Sequence, residues 1–417
     1  MIPLQFAYIN ALRTPSFLTI RHILRFLSGG WLLAVTLVAA SMLTLKSYAL
    51  DDIATSEPGD TKKKGQDYEL EIIAEDLNFP WSISFPDQNN FLLTLRSGSI
   101  IRINADGEST LISGTPESYV AGQGGYFDLM LDRDYQRNQT LWLSYAYGSK
   151  KQNYTRVARA KLVDDALVDF TVVFTTAPSK NTSAHYGGRL AQLPDGTITL
   201  TTGDGFNFRE AAQDTDSHLG KIVRFTRDGN AAADNPYNSS GGNSEDNADQ
   251  GNEYVYALGL RSPQGLFFDK ETDTLFVHGH GPKGGDELNI VKAGTNYGWP
   301  LTSYGVNYSG ARVSPYTSLP GIEEPIKYWT PSIAPSGLTL YRGDAFPGWD
   351  GSMMIGALVD RDVKRLKLAD GKVVEEESLF AELGARIRDV RTGPDGMLYL
   401  LTDSRDGKLV RVRPGDN

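Results

Sequence analysis

The sequence has no cysteine among its 417 residues. This absence excludes a disulfide scaffold, a zinc–thiolate site, an iron–sulfur cluster and a cysteine nucleophile. Positive charge is also in short supply, since 41 basic residues stand against 51 acidic ones and the net charge is −10. An acidic protein repels phosphate backbones, so no nucleic-acid partner is expected. The remaining composition, with 40% apolar and 22% charged residues, is typical of a folded globular protein.

Acidic residues are absent from the first 49 positions, which carry four basic residues. An uncharged, mostly apolar run over 26–45 follows Arg25 and precedes the small-residue site Ser47-Tyr-Ala49. This order predicts a secretory signal peptide over residues 1–49, cleaved after Ala49. A run of this length can also span a bilayer, so an uncleaved N-terminal anchor is the alternative, and only then would the protein contact a membrane. In both interpretations the chain after residue 49 is exported, and we expect a periplasmic protein that is soluble if cleaved.

Residues 50–66 lack any apolar period and predict a solvated linker, which leaves 67–417 as the folded domain. Export also separates that domain from the nucleotide pools of the cell. Free NAD or ATP is therefore not expected as its cofactor.

Helical periodicity is nearly missing after residue 67, where short β-rich runs end at Gly, Asp and Asn clusters. A turn followed by an alternating strand recurs over 83–95, 193–204, 266–279 and 392–403. One such unit cannot bury its own apolar face, so neighbouring copies must pack together. A β-sandwich is the alternative, but copies spread over about 320 residues favour radial repetition.

We therefore predict an all-β fold, a six-bladed β-propeller with long inserted loops on its top face. Six blades average about 58 residues each, more than the roughly 40–50 of a typical four-stranded blade. Two stretches rich in turn residues, 228–253 and 294–325, account for the surplus. Long loops on a rigid scaffold are where binding and catalytic residues concentrate.

A loop histidine is the first candidate for chemistry. His185 lies in Ser183-Ala-His-Tyr-Gly-Gly-Arg189, just before a predicted strand. An imidazole near the mouth of a propeller can act as a general base, because its ordinary pKa is close to the working pH. A hydrogen-bonded structural histidine is the alternative.

A pair of arginines is the second candidate. Arg386 and Arg388 flank Ile387 in a predicted strand, so both point to one face. Neighbouring guanidiniums favour a carboxylate or phosphate ligand between them, and pairing with the protein's own acids is the alternative. Arg261 is a third arginine that could contact the same anion. Gln123 lies in Gly122-Gln-Gly-Gly125, where backbone can approach a ligand closely and an amide can bond it.

An acidic turn is the third candidate. Asp286 and Glu287 follow the glycine- and proline-rich segment 279–285. Bare carbonyls beside carboxylates favour a hard cation such as calcium, and a plain acidic turn is the alternative.

Further motifs follow in order along residues 79–414. They include Gly122-Gln-Gly-Gly, His185-Tyr-Gly-Gly-Arg-Leu, Arg261-Ser-Pro-Gln-Gly, His280-Gly-Pro-Lys-Gly-Gly-Asp-Glu, Asn296-Tyr-Gly-Trp-Pro and Arg386-Ile-Arg-Asp-Val. This set resembles the soluble quinoprotein aldose sugar dehydrogenases, which use pyrroloquinoline quinone (PQQ). The resemblance implies a six-bladed propeller with PQQ on its top face. It also implies oxidation of aldose sugars at the anomeric carbon to lactones, with electrons passed to an external acceptor.

The resemblance also implies roles for individual residues. His185 would be the general base that takes the proton of the anomeric hydroxyl. The implied cofactor contacts are Gln123, Arg261, Ser262, Tyr308, Arg386 and Arg388. The implied calcium ligands are the carbonyls of Gly281 and Pro282, for an ion that polarises the quinone, and Glu287 with Tyr297, for a structural ion. Clustered arginines and a divalent cation suit PQQ, which is a tricarboxylate.

Three positions depart from the family pattern. Ser262 stands where asparagine is usual, Val359 where a lysine is frequent, and Ala184 where some relatives carry aspartate. The change at Ala184 predicts a base that lacks an orienting carboxylate. The first two changes leave open a catalytically silent propeller that binds a glycan or a protein partner. The acidic turn leaves open a calcium-dependent lactone hydrolase.

Overall fold

The computed structural model describes residues 68–238 and 252–415. The predicted signal or anchor segment, 1–49, and the linker, 50–66, lie outside these ranges and remain predictions. Across the described ranges, no helix combines the length and the apolar character needed to cross a bilayer.

The described residues form 24 β-strands. In chain order they are β1 (Tyr68–Leu77), β2 (Pro80–Ser84), β3 (Asn90–Leu95), β4 (Ser99–Asn104), β5 (Ser109–Leu111), β6 (Tyr126–Leu131), β7 (Thr140–Gly148), β8 (Asn153–Val163), β9 (Ala166–Thr175), β10 (Gly187–Gln192), β11 (Ile198–Thr202), β12 (Lys221–Phe225), β13 (Val255–Leu258), β14 (Pro263–Asp269), β15 (Thr274–Gly279), β16 (Asp286–Val291), β17 (Lys327–Trp329), β18 (Pro335–Leu340), β19 (Ser352–Ala357), β20 (Val363–Ala369), β21 (Lys372–Leu379), β22 (Ile387–Thr392), β23 (Leu398–Thr402) and β24 (Gly407–Pro414). Helical structure in the same residues is limited to α1 (Tyr135–Asn138) and the 3₁₀ turns Arg209–Ala212, Pro347–Trp349 and Ala381–Leu383.

The strands form six antiparallel sheets of four, and each sheet is one blade. The first strands of the blades, β2, β6, β10, β14, β18 and β22, contact one another in sequence, and the ring closes between β22 and β2. The last blade takes its outer strand from the other end of the chain, because β1 pairs with β24 from Tyr68–Pro414 to Leu77–Gly407. The prediction of a six-bladed propeller is confirmed.

The recurring Asp-Gly turns explain why the hairpins form where they do. Asp195 Oδ1 accepts the amide of Thr197, and Asp395 Oδ1 accepts that of Met397 in the equivalent turn of the last blade. The glycine that follows each aspartate has a positive φ, 87° at Gly196 and 76° at Gly396, which glycine tolerates best. The local sequence therefore sets both turns in the same conformation.

The hydrophobic core lies between neighbouring blades. One cluster packs Trp142 and Val157 of the second blade against Leu200 and Phe225 of the third, and all four are at most 1% exposed. Each blade buries both faces of its sheet in this way, which is why single repeats cannot fold alone.

The propeller axis is filled by buried ion pairs rather than apolar side chains. Arg189, 1% exposed, lies 2.9 Å from Asp389 and 3.4 Å from Asp128. Arg391 closes the network at 3.3 Å from Asp128. Buried charges need such pairing, and here it forms a polar floor between the two ends of the axis.

The two predicted insertions lie differently. Residues 294–325, between β16 and β17, reach the end of the propeller at which the innermost strands begin, since Trp299 there bonds Asp204 and Lys283 bridges to Val306. The described parts of 228–253 connect β12 to β13 at the opposite end, because the antiparallel pairing places Lys221 and Leu258 together at the first end. One of the two insertions is therefore positioned to contribute to a site on the first face.

Candidate functional site

A cavity of about 270 Å³ opens where the innermost strands begin. It is bounded by four predicted cofactor contacts, Gln123, Ser262, Arg386 and Arg388. Aromatic residues from two innermost strands and the loop before a third also line it, namely Trp81, Phe127 and Tyr186. Residues from several blades thus converge on one small polar and aromatic chamber, which is typical of a ligand site.

The cavity wall carries an excess of positive charge. Arg386 and Arg388 both bond Asp403, with their nitrogens 3.1 Å and 3.2 Å from Oδ2. Arg96 lines the same cavity, and its guanidinium lies 4.2 Å from the ring centroid of Phe79. Burial alone would raise the pKa of Asp403, but the charges of Arg388, Arg386 and Arg96 hold that pKa below its ordinary value. The cavity lining thus contains three guanidiniums and a single carboxylate, so the wall favours an anionic ligand.

His185 adjoins this cavity. Its backbone amide donates to Gln123 Oε1 at 2.7 Å, so the cavity residue and the candidate base are joined directly. The backbone of His185 has a positive φ of 50°. Gly203 allows the end of β11 to approach this loop closely, because a Cβ at that position would lie 2.3 Å from the His185 carbonyl oxygen.

The expectation that His185 lacks an orienting carboxylate is wrong. Asp204 Oδ1 lies 2.6 Å from His185 Nδ1, and both side chains are buried. The carboxylate comes from Asp204, the second residue after β11, rather than from position 184. It engages Nδ1 and leaves Nε2, which makes no side-chain hydrogen bond with the described part of the chain, as the nitrogen free to act.

The environment of His185 favours the neutral form of the imidazole. Burial lowers the pKa of His185 below its ordinary value, and the hydrogen bond and charge of Asp204 offset only part of that effect. A neutral ring that donates from Nδ1 to Asp204 leaves a lone pair on Nε2, as a general base requires.

Asp204 organises more than the histidine. Its Oδ2 accepts the indole N–H of Trp299 at 2.9 Å, and its backbone amide donates to the carbonyl of Arg261 at 2.8 Å. Sequence reasoning missed Asp204 and Asp403 as site residues. Asp403 directly follows the second strand of its blade, and Asp204 follows the second strand of its blade after one glycine. Both strands end in Thr, and that repetition was the available signal.

Lys180 supports the loop that carries the base. Its ammonium donates to Asn153 Oδ1 at 3.0 Å and to the Thr182 carbonyl at 2.8 Å, and it lies 3.2 Å from the ring centroid of Tyr186. Burial lowers the pKa of Lys180 to about 7, although the charge of Asp204 acts in the other direction. This buried lysine braces one wall of the cavity and was not anticipated from the sequence.

Arg261 lies beside the predicted calcium ligands. Its guanidinium donates to the carbonyl of Gly281 at 2.7 Å and to that of His280 at 3.1 Å. Tyr308 is 64% exposed and lies outside the cavity, with its ring centroid 5.9 Å from the Arg261 guanidinium carbon. The structure therefore groups Arg261, Tyr308 and Gly281 at one edge of the site.

Glu287 and Asn289 face a second, much smaller cavity of about 30 Å³, which Gly281 also lines. Burial raises the pKa of Glu287 to about 8, and the side-chain oxygen of Asn289 is buried without a hydrogen-bond partner. The Tyr297 hydroxyl is occupied by the Ile290 carbonyl at 2.7 Å. Within 68–238 and 252–415, no cluster of three or more His, Asp or Glu side chains is arranged to hold a metal ion.

Asp286 does not act as an open carboxylate. It is fully buried and accepts the amides of Gly281 and Ala334, each at 2.9 Å, and the Ser332 hydroxyl at 2.7 Å. The Asp286 carboxylate thus has a structural role. Of the two acidic residues in the turn, only Glu287 retains a carboxylate suited to a cation.

Comparison with known proteins places this site in a family. Residues 77–411 match the sequence model of the Glucose / Sorbosone dehydrogenase family, and the chain belongs to that family. It is 39% identical over 353 residues to the aldose sugar dehydrogenase YliI of Escherichia coli (strain K12), which covers 83% of this chain and 92% of the relative.

Two solved structures extend the comparison. The soluble aldose sugar dehydrogenase of Escherichia coli in its apo-form is 37% identical, with a TM-score of 0.78 over 84% of this chain and 100% of that one. The PQQ-bound aldose sugar dehydrogenase of Streptomyces coelicolor is 25% identical, with a TM-score of 0.67 over 84% of this chain and 98% of that one. The resemblance stated from the motifs is confirmed.

Proposed function

We propose that this protein is a PQQ-dependent aldose sugar dehydrogenase that oxidises the anomeric carbon of aldoses to lactones. One observation carries the proposal. A buried, neutral imidazole, oriented by a carboxylate, is hydrogen-bonded through its backbone to Gln123 in the wall of a cavity with surplus positive charge. Relatives with the same fold include an aldose sugar dehydrogenase in its PQQ-bound form.

The cavity residues fit the cofactor. PQQ carries three carboxylates, and the cavity presents the guanidiniums of Arg96, Arg386 and Arg388 against one lining carboxylate, Asp403, which pairs with the last two. Gln123 and Ser262 would add neutral hydrogen bonds, and Arg261 with Tyr308 would close the edge. Bound PQQ would supply a two-electron acceptor for the hydride that leaves the anomeric carbon.

The protein's own contribution is to take the proton. Nε2 of His185 would accept the proton of the anomeric hydroxyl while the C–H bond at the same carbon is broken, which leaves the lactone carbonyl. Asp204 stabilises the imidazolium that forms, because its carboxylate lies 2.6 Å from Nδ1. The buried environment keeps the base deprotonated before the step.

Calcium is proposed at two places. A structural ion suits Glu287, whose half-buried carboxylate forms no ion pair with the described residues, together with the unbonded oxygen of Asn289. Tyr297 completes the implied set. At the other place, the carbonyls of Gly281 and Pro282 would hold the ion that polarises the quinone. In this structure the Gly281 carbonyl accepts a hydrogen bond from the Arg261 guanidinium. The guanidinium and the ion would compete for that carbonyl.

The proposal includes the cellular setting inferred from residues 1–49. The protein would act in the periplasm, soluble if cleaved after Ala49, and an external electron acceptor would reoxidise the cofactor. The aldose would enter from the solvent side of His185.

The test uses purified protein mixed with PQQ, calcium and a panel of aldoses, with reduction of an artificial electron acceptor as the readout. Wild type is expected to reduce the acceptor. His185→Ala should lose turnover while retaining PQQ binding, measured as a new visible absorption band, and its melting temperature. Failure of wild type both to bind PQQ and to oxidise any aldose would falsify the proposal.

A further inference from the structure

Phe206 is an exposed aromatic residue to which the proposed proton transfer gives no role. It is 48% exposed, yet its ring makes an edge-on contact with the buried ring of His185, with centroids 5.1 Å apart. His185 itself is only 6% exposed, so the Phe206 ring is far more accessible to solvent than the imidazole it contacts. An apolar ring left in water beside a catalytic group is a candidate contact for substrate.

The backbone at Phe206 is held in an unfavourable conformation. Its φ is 70°, in the left-handed region that bulky residues avoid, and such conformations persist where the surroundings impose them at ligand sites. The Phe206 amide donates to Asp204 Oδ1 at 2.8 Å, the same oxygen that lies 2.6 Å from His185 Nδ1. The carboxylate that orients the base therefore also fixes the position of the Phe206 ring.

The chemistry of the ring limits what it can recognise. An aldopyranose carries hydroxyl groups around its edge and C–H groups on its two faces. Gln123 and Arg261, both near His185, can bond hydroxyls, whereas Phe206 has no polar side-chain atom and can pack only against C–H groups. A sugar whose hydroxyls are all equatorial has two unbroken C–H faces, and an axial hydroxyl interrupts one of them.

We infer that Phe206 is a specificity-determining residue whose ring packs against the C–H face of an aldopyranose and so positions its anomeric hydroxyl at His185. The inference rests on the proposed function and adds the class of sugar that the site prefers. That class is the pyranoses with a continuous C–H face, of which D-glucose is the simplest.

The experiment compares wild type, Phe206→Gly and Phe206→Trp on D-glucose and its C2, C3 and C4 epimers. Glycine accepts the left-handed backbone, so Phe206→Gly removes the ring without straining the turn, and its melting temperature should not fall. Its KM for D-glucose should rise about tenfold, with a smaller change in kcat, and its preference for D-glucose over the least favoured epimer should shrink. Phe206→Trp should retain the wild-type KM for D-glucose and the wild-type preference among the sugars. Leu111→Ala, which truncates an exposed apolar residue on the outer strand β5, is the matched control and should match wild type.

The outcomes separate the two proposals. PQQ titration is run on each protein, and Phe206→Gly should bind the cofactor as wild type does. An active wild type together with unchanged KM and sugar preference in Phe206→Gly overturns the inference and leaves the proposed function standing. An equal fall in kcat for all four sugars at unchanged KM also overturns it, because the ring would then support His185 rather than the sugar. A wild type that binds no PQQ and oxidises none of the sugars overturns the proposed function, and the inference with it.

Discussion

Asp204 Oδ1 lies 2.6 Å from Nδ1 of His185, and this contact joins the end of β11 to the loop before β10. The same carboxylate group bonds Trp299 through its other oxygen. Base, carboxylate and indole thus form one buried unit at the edge of the cavity, and its proposed function depends on the orientation of the imidazole.

Replacing the carboxylate tests that dependence. Asp204→Asn should lower kcat for aldose oxidation by about a hundredfold, because the imidazole loses the partner that orients it and stabilises its charged form. PQQ affinity should change much less, since Asp204 does not line the cavity. Steady-state kinetics check the first expectation and absorbance titration the second. Asp216→Asn, an exposed aspartate in the same connection, is the control; a wild-type kcat in Asp204→Asn would contradict the assigned role.

The pH dependence follows from the direction of the His185 shift. Burial holds the pKa of His185 below 6.5, and only the neutral ring accepts a proton, so kcat/KM should rise with pH through a midpoint below 6.5. Asp204 partly opposes the shift, so in Asp204→Asn the midpoint should move to still lower pH while the plateau falls. A rate profile measured from pH 4 to 8 decides this. A midpoint above 6.5 in wild type would show that the base is stabilised in its charged form.

The cationic wall makes cofactor binding sensitive to single arginines. Arg388→Gln should weaken PQQ binding by about ten- to a hundredfold, since hydrogen bonds to charged groups are worth roughly 1.5–3 kcal/mol. Titration of the apo-protein at low and moderate salt measures the loss, with exposed Arg405→Gln as the matched control. Equal affinities of the two variants would place the cofactor elsewhere.

Val359 offers a gain of function. It is 56% exposed and follows Leu358, which lines the cavity and whose carbonyl accepts from Arg386 at 3.1 Å. Val359→Lys adds a cation at the rim and should tighten PQQ binding by about two- to fivefold, the range of a surface ion pair. The melting temperature should stay unchanged because the position is exposed. Weaker binding in this variant would show that the residue at 359 points away from the cofactor.

Calcium should stabilise the fold through Glu287. At saturating calcium the melting temperature of wild type should rise by about 5 °C, and a chelator should reverse the rise. Glu287→Gln should lose most of this response, while exposed Glu117→Gln should retain it. Thermal unfolding with and without calcium gives the answer, and an equal rise in all three proteins would place the ion at another site.

Much of the fold could be predicted because its determinants are local. The strand period of two and turns such as Asp195-Gly196 and Asp395-Gly396 act within a few residues, so each repeat can be recognised in the sequence. Repeats that cannot bury their own faces then require neighbours, which leads to a closed ring of blades. His185, Gln123 and the Arg386–Arg388 pair were found for the same reason, because each lies in a short motif.

The partners of those residues were decided by tertiary structure alone. Period two predicts Arg386 and Arg388 on one face of a strand. The strand β22 begins only at Ile387, just after Arg386, and Asp403 meets both arginines because β23 pairs with β22. Asp204 reaches His185 because Gly203 lets β11 approach the loop, and Arg96 joins the same cavity from another blade. The sequence by itself thus determined the propeller, the candidate base and the arginine pair. The orienting carboxylate, the surplus of positive charge and the exposed ring beside the base depend on side chains brought together across strands and blades, which no local pattern encodes.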